Sequence, residues 1–468
     1  MGIMAGAPFR RACRSRGRSP PRSPAQAQSP HRLRLRTLPH LPLLPAIAII
    51  EPAPPRRSGG GPGRHAVAQG TRACSHLCGI QTAWTDESEA EAAVAAFADA
   101  LQREPIGHLV TFFSPAYGAG AVAGALARHF PGLRVSGCTS SGEISPTGGL
   151  DRGLVAVAFP RAGFRVASVL LPEIGHLDAQ RAASALRALR AELDAIGTGG
   201  QRFALSLIDG LTNAEEAVIS AVSTGLDGVP LVGGSAGDDL TFRDTALIHD
   251  GAVHRGAAIL LLIETDFPIE IFKNHNFEPT GAKFVVTETD RERRAVRELN
   301  AEPAAAEYAR ALGLPLESLT ATDFAANPLV VRIGGDYFCR SIRHLNPDGS
   351  LSFLCALDEG VVLTLARQKD IVAATREELA RLDARLGGLD LVIGFECVLR
   401  RLDAELHQVR HCISDLYRQY NVVGFETYGE QFRSMHLNQT FTGIAIGRQP
   451  APRAVPSGPA GGAMGIAR

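Results

Sequence analysis

Leu391-Val-Ile-Gly-Phe-Glu-Cys-Val398 and Asn421-Val-Val-Gly-Phe-Glu-Thr-Tyr428 are near-copies of one another, 30 residues apart. Each is a short apolar run rich in branched and aromatic side chains, the composition of a buried strand. Between them Leu399, Leu402, Leu406, Val409, Ile413, Leu416 and Tyr420 recur at spacings of three and four. That rhythm predicts one amphipathic helix of about six turns. Strand, helix and strand then form a right-handed crossover between parallel neighbours. Cys397 and Thr427 fall at matching strand ends, where α/β sheets place ligands. A buried, inert thiol is the ordinary reading of Cys397. His407 and His411 lie four apart but off the apolar stripe, which reads as a solvated face rather than a metal pair.

Working towards the N-terminus, two more segments resemble each other: Leu133–Ile144 (LRVSGCTSSGEI) and Val229–Leu240 (VPLVGGSAGDDL). Both run from an apolar strand into glycine, small polar residues, glycine and an acid, as equivalent strand ends of a duplicated unit would. Gly137, Cys138 and Thr139 in one loop, and Gly233, Gly234 and Ser235 in the other, are candidate ligand-loop residues; tight turns are the plainer reading. Helical patterns at 88–103, 119–130, 178–196 and 213–224 alternate with strand patterns, so residues 80–250 are expected to form an α/β layer with parallel pairs. Gly233–Gly237 also satisfies GxSxG. The following segment reads as strands joined at Asp250-Gly251, so the helix that a nucleophile elbow needs is missing.

Residues 251–447 look antiparallel, hence α+β. Within them Glu264–Thr287 begins as an alternating strand, passes His275 between Phe272 and Phe277, and breaks at Pro279 and Gly281. An imidazole among aromatics at a strand end can hold haem iron; a core histidine satisfied by a backbone carbonyl is the commoner case. His436 precedes the last strand.

The formal net charge of zero conceals a split. Residues 1–79 carry 13 Arg, no Lys and one acid, Glu51, with 12 of the 29 prolines, leaving 35 Lys+Arg against 47 Asp+Glu in the remainder. An acidic body argues against nucleic acid as a partner. The Arg/Pro-rich segment 1–79, Cys74 and Cys78 included, is expected to be a disordered tail, as is 448–468. A transit peptide, a basic arm and a misassigned translation start all suit such a leader. The apolar run Leu41–Ile50 is too short and too broken by proline to span a bilayer. The eight scattered cysteines form no disulfide framework, which suits a reducing compartment.

GCTSSGEI, LIDGLTNAEE, LVGGSAGDD, NHNFEPTG, FLCALDEGVVLT, GFECVLRRL and FETYGEQF with HLNQTFTGIAIG, in that order, resemble the FIST family, over roughly residues 80–447. The resemblance implies an N-terminal α/β FIST N domain followed by an α+β FIST C domain, and a sensory, ligand-binding role without catalysis. A bacterial branch, the nitric-oxide-sensing haem proteins that regulate histidine kinases and cyclic-di-GMP enzymes, resembles the chain closely. By that resemblance His275 is the axial ligand of haem b, with Phe272, Phe277, Pro279, His436 and Cys397 about the cofactor. The implied protein is cytoplasmic and acts on a separate partner. A FIST module for a non-haem metabolite, and a hydrolase using Ser235 or Cys397, are the other two readings.

Overall fold

The computed structural model describes residues 70–101 and 105–449. The expected tails 1–69 and 450–468 lie outside these residues. Residues 72–79, assigned by composition to the tail, belong to the fold. Arg72–Ser75 pairs antiparallel with Gln81–Thr85, and the amide of buried Cys78 donates to Asp390 at 2.7 Å.

Among the described residues one pattern occurs three times: strand, helix, strand, helix, strand, hairpin, strand. In the first unit it runs Gln81–Thr85, Ala90–Ala100, Ile106–Phe113, Ala119–His129, Arg134–Thr139, the hairpin Glu143–Ser145/Gly148–Leu150, and Leu154–Pro160. The second unit runs Phe164–Leu171, Ala179–Ile196, Gln201–Asp209, Glu215–Leu226, Leu231–Ala236, Leu247–His249/Ala252–His254, and Ala258–Thr265. The third begins with Ile269–His275 and resumes, after a long insert, at helix Ile371–Leu386. It continues through Leu389–Cys397, two helices, Val422–Thr427, Glu430–Phe432/Met435–Leu437, and Thr440–Gly447. Each unit contributes one parallel pair, flanked by antiparallel strands. The pair Leu389–Cys397 and Val422–Thr427 has the expected register, with Cys397 opposite Thr427.

The second strand of each parallel pair would have an open edge, and an open edge leaves a row of unpaired amides. Each edge is closed by the hairpin of a different unit. The second unit's hairpin pairs with the first unit (Ile248 opposite Gly137), the third's with the second (Gly233 opposite Gln431), and the first's with the third (Gly424 opposite Ile144). The exchange is cyclic.

Strands buried on both faces read as unbroken apolar runs, and these do. Their inner faces meet in one core, where Phe112 stacks on Phe425 at 4.7 Å and Phe395 meets Phe425 edge-on at 5.7 Å. The outer face of each sheet is covered by its own helices.

The insert is a further, wholly antiparallel sheet around helix Ala304–Leu312, which confirms the mixed character of the second half. Its two edge strands, Asp336–Arg340 and Ile342–Leu345, are joined through Ser341 alone, so the sheet curls back on itself.

The six-turn helix is a correction. The structure has two helices, Val398–Leu406 and Arg410–Gln419, parted at Gln408, whose φ is +59°. Leu406, part of the expected seam, is 56% exposed. Apolar spacing is the same on either side of the break, so periodicity cannot reveal it.

Gly137, Gly233 and Gly424 occupy equivalent places, one per unit. A Cβ at any of them would run into the carbonyl oxygen of the adjacent parallel strand, at Thr111, Ser206 and Gly394 respectively. Gly424→Ala is expected to destabilise the fold by about 3 kcal/mol or more, through forced separation of packed strands. Gly281→Ala, with nothing within 4 Å of the new methyl, is the control. Urea denaturation reads both; equal midpoints would contradict the close approach.

Candidate functional site

The carboxyl ends of the three parallel pairs meet through reciprocal backbone bonds. Ser141 and Gly142 exchange bonds with Glu426, Tyr428 and Gly429 with Ser235, and Gly237 and Ala246 with Thr139. These bonds set the alignment of the units: Thr139, Ser235 and Glu426 are equivalent, and so are Glu143, Leu247 and Glu430.

A buried carboxylate latches each hairpin to the strand that follows it. Glu143 accepts from the Ser140 hydroxyl and, at 2.6 Å, from the Gly153 amide. Glu430 repeats this one unit away, accepting from the Thr427 hydroxyl at 2.5 Å and the Thr440 amide at 3.2 Å. In the second unit Leu247 stands in the acid's place and Asp209, on another strand, supplies it. Asp209 accepts from the Thr245 hydroxyl and from the Gly256 amide at 2.7 Å. Asp238, one of the acids expected to match Glu143, serves a different purpose: it ties its own loop by accepting the amides of Phe242, Arg243 and Asp244.

Burial pushes the Glu430 carboxyl up to about 8 and Glu426 to about 7, against the opposing pull of their hydrogen-bond and arginine partners. Glu143 is raised well above the usual range for the same reason.

The expected ligand-loop residues are divided among these strand ends. Cys138 and Cys397 are fully buried, and desolvation holds both thiols well above their ordinary value. Ser235, also fully buried, accepts from the Gln431 side chain at 3.0 Å; its neighbour is an amide, not a histidine. Thr139 hydroxyl accepts from the Ala246 amide at 3.1 Å.

His275 lies elsewhere, at the neck where the third unit gives way to the insert. Its strand pairs with Thr440–Gly447, placing His275 opposite Thr440, itself a donor to Glu430. The imidazole stacks on Phe277 at 4.1 Å, and its Nδ1 is buried with no hydrogen-bond partner. Desolvation, aided by Lys273 and Arg400 and opposed by the Phe277 backbone and Asp336, lowers the ring to about 4, so it is neutral at pH 7. The aromatic bracket expected around it is half correct. Alternation along the strand turns Phe272 to the opposite face, where it packs on Phe441 at 5.1 Å, and Pro279 is exposed. His436 belongs to the hairpin that visits the second sheet. Its Nδ1 is likewise unpartnered, and the ring meets Gly429 together with Asn438.

The residue after His275 fixes the neck. Asn276 accepts from Arg400 at 3.2 Å, donates to Asp403 at 3.1 Å, and its carbonyl takes the Lys369 amide at 2.7 Å. Arg400 is 1% exposed and also bonds Glu396 and Thr375. Neither Asn276 with its partners at the neck nor the carboxylate latches were among the expected site residues. The signal for the latches was present, since Gly137–Glu143 and Gly424–Glu430 share glycine, four residues, glycine and glutamate.

This architecture defines a chain of intertwined α/β units carrying an antiparallel insert. Family comparison gives a FIST N domain over residues 108–302 and a FIST C domain over 304–433, and the chain carries both in that order. FIST domains are sensory, small-ligand-binding domains of signal transduction. No curated protein matches the chain. Among the described residues no helix is long and apolar enough to cross a membrane, and no group of three or more His, Cys, Asp or Glu is arranged to hold a metal ion.

Glu430 carries a pH prediction. Its folded value, about 8, lies above the ordinary 4.5, so between those limits the folded chain binds more protons than the unfolded one. Stability from this group is therefore greatest below pH 4.5 and declines as pH rises to about 8. Denaturation midpoints from pH 5 to pH 9 should fall, and Glu430→Gln should flatten the fall. An unchanged slope in the variant would show that Glu430 does not titrate in this window.

Proposed function

We propose that this chain senses a small ligand through His275, with haem b as the ligand-binding group, nitric oxide as the signal, and a separate cytoplasmic histidine kinase or cyclic-di-GMP enzyme as the partner. The observation carrying this reading is the unpartnered Nδ1 of a neutral, largely buried imidazole. A buried nitrogen without a partner is costly unless something else engages it. The donor that would hold the group is one neutral imidazole stacked on Phe277; the nearby Lys273 ammonium is engaged by the Tyr337 carbonyl and the Phe338 ring. When bound, haem iron supplies an open coordination position for a diatomic gas.

The chain's own part is to hold the ring and to register its displacement. His275 is followed directly by Asn276, so movement of the ring loads the bonds from Asn276 to Arg400, Asp403 and Lys369. Those bonds reach helices Val398–Leu406 and Ile371–Leu386 and the return of the insert. A signal biases a partner only through such a difference between two arrangements.

Protein expressed with haem available is expected to show a Soret band that shifts with nitric oxide. His275→Ala should lose the band while keeping its far-ultraviolet circular dichroism. A colourless wild type would end the haem reading, and an unchanged spectrum in the variant would move the ligand to another residue.

A non-haem metabolite is the second reading, supported by Asn438. This side chain is fully buried, yet neither its amide oxygen nor its nitrogen has a partner. Folded but colourless protein would favour it.

A further inference from the structure

The break in the helix of the third unit opens a different place for a ligand. Between helices Val398–Leu406 and Arg410–Gln419 and the adjoining strand ends lies a cavity of about 20 Å³, lined by Glu396, Arg401, Arg410, Ser414, Tyr417 and Glu426. One water needs roughly 10–15 Å³ by the same measure, so the space exceeds a single water. Tyr417 is 2% exposed, and its hydroxyl, beside the Glu396 carboxylate, makes no hydrogen bond of ordinary geometry. Arg401 Nε is also buried without one, and makes only a 3.5 Å ionic contact with Glu405. Two donors without a well-formed hydrogen bond therefore belong to residues that line one cavity.

The facing wall comes from the first unit's hairpin. A Cβ on Gly148 would come within 2.8 Å of Ser414 Cβ, and one on Gly149 within 3.2 Å of Arg410 Nη2. At the rim Arg410 pairs with exposed Asp151 at 2.8 Å. Hairpin and helix thus belong to different units, and bare backbone on the hairpin side leaves room for the arginine.

We propose that this cavity binds the carboxylate of a small organic acid, with Arg401 Nε, Arg410 and the Tyr417 hydroxyl as its donors. Arginine matches the planar geometry of a carboxylate. Two arginines face two glutamates here, which favours a monoanion over a phosphate dianion. Glu426 is faced by Arg401 and Arg410 from the helices, Glu396 from the adjacent strand, Glu143 from the first unit's hairpin, and Tyr417. Its carboxyl titrates at about 7, and in its ionised form it repels an incoming carboxylate. Binding is then coupled to protonation of Glu426, and affinity falls as pH rises through neutrality.

Calorimetric titration of the full chain with acetate, and separately with inorganic phosphate, at pH 6 and pH 8 tests this. Acetate is expected to saturate one site and to bind about tenfold more tightly at pH 6 than at pH 8, the change in the protonated fraction of a group titrating near 7. Glu426→Gln should bind acetate with no such dependence. Tyr417→Phe should weaken it by about tenfold, the loss of one hydrogen bond. His275→Ala should bind acetate as wild type does, which separates this site from the haem reading. Thermal melts of each variant confirm folding. No saturable heat with acetate, tighter binding of phosphate, or a preserved pH ratio in Glu426→Gln would each overturn the proposal.

Discussion

An unpaired strand edge governs this structure. Each parallel pair ends on a strand whose outer amides need partners, and each unit sends its own hairpin away to supply another's. No unit is complete alone; the first lends to the third, the third to the second, and the second to the first. The crossing points are narrow, which is why glycine stands at positions 137, 233 and 424. They are also dry. Glu143 and Glu430 sit there as fully buried carboxyls held by a hydroxyl and a backbone amide, and desolvation keeps them towards their neutral form.

The third unit departs from the pattern in two places. The first two units run without interruption from opening strand to first helix. The third interposes an entire antiparallel sheet at that point, and its neck is His275-Asn276. It also replaces a single crossover helix with two. Each departure leaves polar atoms without a well-formed hydrogen bond: an imidazole nitrogen at the neck, and a hydroxyl and a guanidinium nitrogen beside the broken helix. Interiors normally pair their polar atoms, so both departures differ from the rest of the fold in this respect.

The two features are joined by two adjacent arginines. Arg400 stands on the first half of the broken helix and bonds Asn276 at the neck, while its neighbour Arg401 lines the cavity. A change at either place reaches helix Val398–Leu406 within one residue.

The sequence by itself determined which segments are strands buried on both faces, that Cys397 and Thr427 stand side by side, that Asp250-Gly251 is a turn, and that GxSxG has no helix behind it. These follow from local chemistry: apolar runs, turn residues, and equal spacing of near-copies. It also held the two halves of the repeat, in GCTSSGE and GFETYGE, without disclosing their relation. Only the tertiary structure decided which hairpin closes which edge, because a strand's composition records that it is buried and not what buries it. It also decided that Phe272 turns away from His275, that the helix breaks at Gln408, and that Asp209 supplies the second latch in place of Leu247. A latch needs a carboxylate at one point in space, and different positions in the chain can bring one there.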